Sequence, residues 1–324
     1  MKWSLGVVAA GVVAAAVMSL AQAQEYPAKP IRILVPFAPG GAVDTSTRIL
    51  TQKMTERLGW NFVVENRPGG NGFIATTAVA KAPADGYTLL MAHTGEFAVN
   101  PALFSEVPYE LERDFVPITM VSDAPMLYLA KSAASFNNFQ ELVRDAKAKP
   151  GSITFSSAGT GSINHLAGEW LALAAGIKLQ HVPYKGGAPA AQAVGAGDVD
   201  FGVMAVPGAT PFLKSGKGKV IGITTAKKSL LNASWATPRD GGIPDLDASI
   251  WVGLFAPKAT PPAVVDKMNA EVRRTLGDAD VQKRFVESAG AEAIGMSSAD
   301  FLVRIKADAE RYGRVVRAAG VKPE

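Results

Sequence analysis

Short apolar runs alternating with glycine-marked turns and helical patterns most narrow what this chain can fold into. Ile31 to Phe37 reads as a strand, Pro39-Gly40-Gly41-Ala42 as a turn, and Asp44 as the N-cap of a helix from Thr45 to Leu58, stopped by Gly59. Asn61 to Glu65 and Tyr87 to Ala92 read as further strands, with a short helix from about Ile74 to Lys81 between them. A second set follows. Phe139 to Lys149 is a helix, Ser152 to Ser157 a strand, and Ser162 caps a helix from Ile163 to Ala175 that ends at Gly176. His181 to Tyr184, Val199 to Met204, Val220 to Thr225 and Ser249 to Pro257 are strands, with a small helix from Pro189 to Ala196. Three helical stretches, Pro262 to Leu276, Ala279 to Ala289 and Ala299 to Ala319, close the chain. Such alternation predicts an α/β fold with largely parallel strands. A length of 324 residues accommodates two units of this kind. Extended patterns flank Ser122-Asp123-Ala124-Pro125, so the chain is expected to cross between units near Asp123 and return near Trp251. The expectation is two α/β lobes joined by a two-crossing hinge. Residues 24–123 with 247–324 would form lobe I, and 124–246 lobe II.

The N-terminus is read as a targeting segment. Lys2 precedes an apolar stretch from Leu5 to Leu20, and Ala21-Gln22-Ala23 is a small-x-small cleavage pattern. The stretch falls short of the ~20 residues that span a bilayer. Residues 1–23 are therefore expected to be a signal peptide cleaved after Ala23, giving an exported, periplasmic protein. No later apolar stretch is long enough to cross a membrane. The chain has no cysteine, which excludes a lipoprotein anchor, disulfides, thiolate metal sites and cysteine nucleophiles. The mature chain must be held by its core alone, and its length allows that. A hydrophobic share of 48% against 19% charged residues excludes wholesale disorder. The net charge of +4 is scattered, so no nucleic-acid partner is expected.

Enzyme motifs fail one by one. Gly159-Thr160-Gly161-Ser162-Ile163-Asn164 begins like a dinucleotide loop, but Asn164 stands where the third glycine belongs and no acid lies near position 180. Gly216-Lys217 resembles the end of a phosphate loop, but Pro211 and Gly218 break the pattern. No Gly-x-Ser-x-Gly elbow is present. His93, His165 and His181 are not spaced to hold a metal on one helix. A Ser157–His165 dyad is conceivable, but a helix-terminus histidine making a local hydrogen bond is the simpler reading. No catalytic residue, metal or cofactor is expected.

Two strand–turn–helix junctions remain: Pro39-Gly40-Gly41-Ala42 and Ala158-Gly159-Thr160-Gly161-Ser162, one in each expected lobe. Each presents backbone N–H groups at the positive end of a helix, beyond the carboxyl end of a strand, where α/β folds bind ligands. Ser156, Ser157, Thr160 and Ser162 add neutral hydroxyls. Such loops bind a carboxylate without an arginine. Lys185, at the end of a strand with Tyr184, could add a positive charge. Trp170, on an apolar helix face with Ile163 and Leu166, reads as core, and Trp251 as core or hinge packing.

Several stretches, in order along the mature chain, resemble one receptor family. They are Tyr26-Pro27-Ala28-Lys29-Pro30-Ile31-Arg32, Val35 to Gly41 with Asp44, Glu65-Asn66-Arg67-Pro68-Gly69, Ala84 to Leu90, and Asn100-Pro101. Further on are Gly159 to Ser162 with His165-Leu166-Ala167, Val182-Pro183-Tyr184-Lys185-Gly186, and Trp251 before Ala256-Pro257. The set is similar to the Bug receptors, the substrate-binding proteins of the tripartite tricarboxylate transporter group. The resemblance implies a bilobed type II periplasmic binding protein fold that closes on a small carboxylated ligand: an organic acid, amino acid or aromatic acid. It implies integral-membrane transporter subunits as partners, and a monomer is expected. It also implies that Phe37, Gly40, Gly41, Ala42 and Asp44 hold one carboxylate together with Ser157, Gly159, Thr160, Gly161 and Ser162, and that Asp200 orients an ordered water. His93 and Thr94 match a family stretch before Asn-Pro in altered order, and Glu96 is an added acid there. Glu96 is read as facing solvent. Were it to line the cleft, a second ligand carboxylate would be repelled and an amine or neutral group favoured. A secreted hydrolase or isomerase of a carboxylated metabolite, and an orphan receptor used for sensing, are the alternatives.

Overall fold

A computed structural model describes residues 26–322, so the expected signal segment and its cleavage site lie outside the described residues. The first half begins with β1 (Ile31–Val35), α1 (Ala42–Leu58), β2 (Phe62–Asn66), α2 (Phe73–Ala80) and β3 (Thr88–His93). A π-helical turn (Gly95–Val99) and two short helices, α3 (Asn100–Leu103) and α4 (Leu111–Asp114), lead into the long strand β4 (Phe115–Lys131). The second half contains α5 (Phe139–Ala148), β5 (Thr154–Ser157), α6 (Ile163–Ala175), β6 (Gln180–Pro183), α7 (Gly187–Ala196), β7 (Phe201–Ala205), α8 (Val206–Lys214) and β8 (Gly218–Ile223). The chain then returns through β9 (Ser249–Pro257) to α9 (Pro262–Leu276), α10 (Ala279–Arg284), the short β10 (Glu292–Ala293) and α11 (Ser298–Ala319).

The two halves repeat one strand order. The first runs β2-β1-β3-β9-β4, and the second runs β6-β5-β7 beside β4, with β8 also on β4. β1 is parallel to both β2 and β3, and β5 is parallel to both β6 and β7. Each half therefore has a switch point, at β1 and at β5, and α/β sheets take ligands outside the carboxyl ends of the strands there. The inner strands are largely buried on both faces, whereas the edge strands β2 and β6 are partly exposed. Ile31, Ile33 and Val35 join one core with Met268 and Val272, while Leu34 joins the opposite core with Leu90 and Phe97.

β4 belongs to both halves. Phe115 to Pro125 pairs antiparallel with β9, and Met126 to Ala130 pairs with β7. The expected crossing near Asp123 and return near Trp251 fall on this strand pair, where Asp123 lies opposite Trp251. One detail differs from the sequence reading. Ser122 to Pro125 does not interrupt the strand, because register shifts earlier in the pair, between Pro117 and Thr119 and between Met120 and Ser122, absorb the irregularity. Trp251 is wholly buried, donates its indole N–H to Asp308 at 3.0 Å and meets Phe301 edge-on, so it is a packing residue. Trp170 packs edge-on against Tyr312 of α11. The C-terminal helix thus touches both halves.

Around the crossing, Arg304 bonds Asp308 at 2.7 Å and lies 3.6 Å from Asp123. Burial pushes the Asp123 carboxyl up to about 6, against the opposing pull of Arg304. Between pH 4 and 6 the folded chain therefore holds a proton that the unfolded chain has released, so this group removes stability as pH rises through that window. With 22% of the side chain exposed, the effect is on the order of 1 kcal/mol. In chemical denaturation, Asp123→Asn is expected to gain stability relative to wild type as pH goes from 4 to 7. A variant-to-parent difference that stays flat across that range contradicts this.

Candidate functional site

The carboxyl ends of β3 and β5 face one cavity of about 500 Å³ between the halves. The first half contributes Phe37, Asn71, His93, Glu96 and Asn100 among others, and the second contributes Gly159 to Asn164, Tyr184 and Lys185. A larger recess of about 640 Å³ is lined by Trp170 and Ala174 at the other end of α6, beside Asp247 and Arg311, which already pair with each other at 3.2 Å. It lies away from the strand ends that carry the glycine-rich loops.

The second-half wall is built by the loop between β5 and α6. Ser162 has extended backbone and accepts from the His165 N–H, which is the predicted cap. The first helical bond runs from Leu166 N–H to Ser162 carbonyl. The N–H groups of Ile163 and Asn164 precede that ladder and stand at the positive end of the helix. The glycines have a different role from the one expected. Gly159 N–H donates to the Ser157 hydroxyl at 3.2 Å, and Gly161 N–H donates to His165 Nδ1 at 3.1 Å. They shape the loop, and the amides left outside the helical ladder at its end are those of Ile163 and Asn164. Gly161 has φ +75°, and a Cβ there would fall 2.5 Å from Leu103 of the opposite half. Glycine here meets both the positive φ and the close approach of the Leu103 side chain. Lys185 is exposed at the rim and has no ion-pair partner among the described residues.

The first-half wall departs further from expectation. Glu96 does not face solvent: it is 1% exposed and lines the cavity. The π-helical turn Gly95–Val99 turns its side chain inward, where its Oε2 accepts from His93 N–H at 2.9 Å and lies 2.7 Å from His93 Nδ1. The Gly95 N–H also points at Nδ1 at 3.0 Å, a bond this nitrogen accepts only when it does not donate to Glu96, and the ring packs on Phe37 at 4.4 Å. Asn100 donates to the Asn71 carbonyl and to Tyr109, whose hydroxyl in turn donates to the Glu96 carbonyl. Asn71 and the apolar pair Leu103 and Phe104 were not anticipated as lining residues; only the Asn100-Pro101 motif pointed at this turn.

Comparison with known proteins fits this geometry. A family model described as "Tripartite tricarboxylate transporter family receptor" matches residues 46–321. The chain belongs to this receptor family. It is 31% identical over 319 residues to the protein BugT of Bordetella pertussis, covering 98% of each chain. Rpa4515 of R. palustris, solved with adipate, superposes with TM-score 0.81 at 29% identity over 93% of this chain and 100% of that one. MatC of Rhodopseudomonas palustris, solved with bound malate, gives TM-score 0.75 at 31% identity over 90% and 100%. These likenesses bear out the bilobed periplasmic binding protein fold.

Several residues expected to touch ligand in this receptor support the site from behind or lie elsewhere. Helix α1 starts at Ala42 with Gly41 as its cap, so Asp44 is inside the first turn. Its carboxylate accepts from Gly40 N–H at 2.9 Å and pairs with Arg48 and Asn66. Burial alone would raise its pKa, but the bonds from Arg48, Gly40 and Asn66 outweigh that and hold it below the usual carboxylate value. Gly40, Gly41, Ala42 and Asp44 are not among the residues lining the cavity; Phe37 alone of that loop is. Thr94 is buried and links β3 to β9, donating to Ser249 carbonyl and accepting from Trp251 N–H. Asp200 precedes β7 at the amino ends of the parallel strands, opposite to the cleft, where it pairs with Lys131 at 2.8 Å and accepts from Thr154. It cannot orient a water in the cavity. Among the described residues no cluster of three or more metal-ligating side chains occurs, and no helix is long and apolar enough to cross a membrane.

Ser157 has no exposed surface, and its hydroxyl lies 2.7 Å from Nε2 of His181, not of His165. The two imidazoles stack at 3.7 Å. Burial, with His165 adjacent, lowers His181 to about 4. The unfolded chain takes up a proton near pH 6.5 that the folded chain refuses until about pH 4, so this group makes stability rise with pH over that window. The sign is opposite to that of Asp123. In chemical denaturation His181→Gln should lose less stability than wild type between pH 7 and pH 4.5. An equal or larger loss in the variant contradicts the assignment.

Proposed function

We propose that this protein is a periplasmic solute receptor that closes on a small carboxylated metabolite and delivers it to membrane subunits of a tripartite tricarboxylate-type transporter. The observation that carries this reading is the amino end of α6, open to a cavity between the halves and accompanied by Ser162 and Lys185. Oriented amides with a nearby cation suit a carboxylate. Family members solved with adipate and with malate support the ligand class. Residues 24–123 with 247–324, and residues 124–246, act as the two lobes, with β4 and β9 as the hinge. Export with cleavage after Ala23 completes the reading, and the receptor works as a monomer. Capture without catalysis is favoured over a hydrolase because the Ser157 hydroxyl, though bonded to a histidine, is sealed from the cavity.

A ligand that binds only the folded, closed protein stabilises it by about 2.7 kcal/mol at a hundredfold excess over Kd. A thermal-shift screen of mono- and dicarboxylates, amino acids and aromatic acids should give a clear increase for at least one compound. Shifts confined to sugars or esters would sink the proposal. In isothermal titration, Gly161→Val should weaken binding more than Lys185→Ala, because it strains a positive φ and pushes against Leu103. The reverse ranking in folded variants would put a side-chain cation in place of the loop amides.

A further inference from the structure

We infer that His93 takes up a proton when a carboxylate ligand binds, and that its Nε2 is the first half's donor to that carboxylate, so that affinity falls as pH rises. The inference rests on the carboxylate-receptor reading above and adds a proton to it. His93 ends β3 and lines the cavity, with 21% of its side chain exposed. Phe37 packs on the ring, and Nδ1 lies 2.7 Å from Glu96 Oε2. Oε2 already accepts the His93 backbone N–H, so the ring is the donor in the second bond. Glu96 itself does not meet the ligand, because Oε1 is buried against Gly72 and Oε2 is turned to His93. Nε2 is placed differently. It has no hydrogen-bond partner among the described residues, and it is not one of the buried polar atoms left without one, so it is open to the cavity.

A neutral ring whose Nδ1–H is held by Glu96 presents a lone pair at Nε2, and a lone pair opposes a carboxylate. A proton taken from solvent turns the same atom into a charged N–H donor, with Glu96 behind the ring and the ligand in front. Such charge-assisted bonds are the strong ones. Imidazole is the side chain whose charge ordinarily changes between about pH 5 and 8. The other ionisable side chains lining the cavity are Glu96 on the adjoining turn and Tyr184 and Lys185 on the facing half. β9, which pairs with His93 at Val252, and the loop from Phe37 to Gly41 contribute no charged side chain. Bound carboxylate favours the protonated ring, so binding draws a proton and weakens as protons become scarce.

In the test, adipate, malate and benzoate, then the remaining carboxylates of the thermal-shift screen, are titrated calorimetrically at pH 6.5, 7.5 and 8.5. At pH 7 the titration is repeated in phosphate and in Tris, whose heats of ionisation differ. For each compound that binds wild type, affinity should fall about tenfold from pH 6.5 to 8.5, the scale of one charge-assisted hydrogen bond, and the two buffers should report proton uptake. His93→Gln, checked for folding by circular dichroism, should bind without the pH trend. Asp123→Asn, which removes the hinge carboxyl that burial pushes up to about 6, should keep it. Wild-type affinity that is flat with pH, or binding without proton uptake, overturns the inference and leaves the carboxylate reading intact, and neither measurement needs a variant. A trend that survives in folded His93→Gln, or is lost in Asp123→Asn, also overturns it. Failure of every carboxylate in the screen overturns both.

Discussion

The antiparallel pairing of β4 with β9 is the constraint on which the rest of the molecule depends. β4 begins beside β9 in the first half and ends beside β7 and β8 in the second, so one continuous strand carries both sheets. This connection fixes the orientation of two units that otherwise fold around their own parallel strands. It also brings the carboxyl ends of those strands, and with them the helix starts that follow, toward one gap. Trp251 and Thr94 reinforce the crossing from opposite sides, the first through Asp308 of α11 and the second through the backbone of β9. α11 packs across both halves, so movement at the hinge is coupled to the contacts of that helix.

The chemistry of the cleft comes from backbone geometry more than from charged side chains. Gly159 and Gly161 direct the loop after β5, and the amides exposed at its end belong to Ile163 and Asn164. Ser157, His181 and His165 form a buttress beneath that loop, in which the buried Ser157 hydroxyl is bonded to His181 and the two imidazoles stack. On the facing wall, the π-helical turn places Glu96 and His93 at the cavity.

Much of the fold was legible because its signals are local. Ser162 and Gly176 mark the two ends of α6, and the helix spans the predicted residues with Gly176 in the left-handed conformation that stops it. The apolar runs gave the strands to within a few residues. Three features were not legible, each for a physical reason. A π-helical turn has no periodic sequence signature, and its extra residue rotates the side chains, so the inward direction of Glu96 was hidden. α8 contains Pro207 and Pro211, which argue against a helix on sequence, although Pro207 sits in the tolerated first turn. Asp200 comes just before β7, the strand beyond Lys185, and this place at its amino end puts it on the opposite edge of the sheet from the glycine-rich loops. Linear order along a strand reveals its end only when the neighbouring register is known.

The most direct test of the account is a crystal structure of the protein with a small carboxylate bound. The account predicts that a carboxylate oxygen sits within hydrogen-bond distance, about 2.7–3.2 Å, of the Ile163 or Asn164 amide at the start of α6, with Leu103 closed against Gly161. A ligand carboxylate held at the Gly40–Ala42 loop, with the amides of α6 bonded only to solvent, would contradict it.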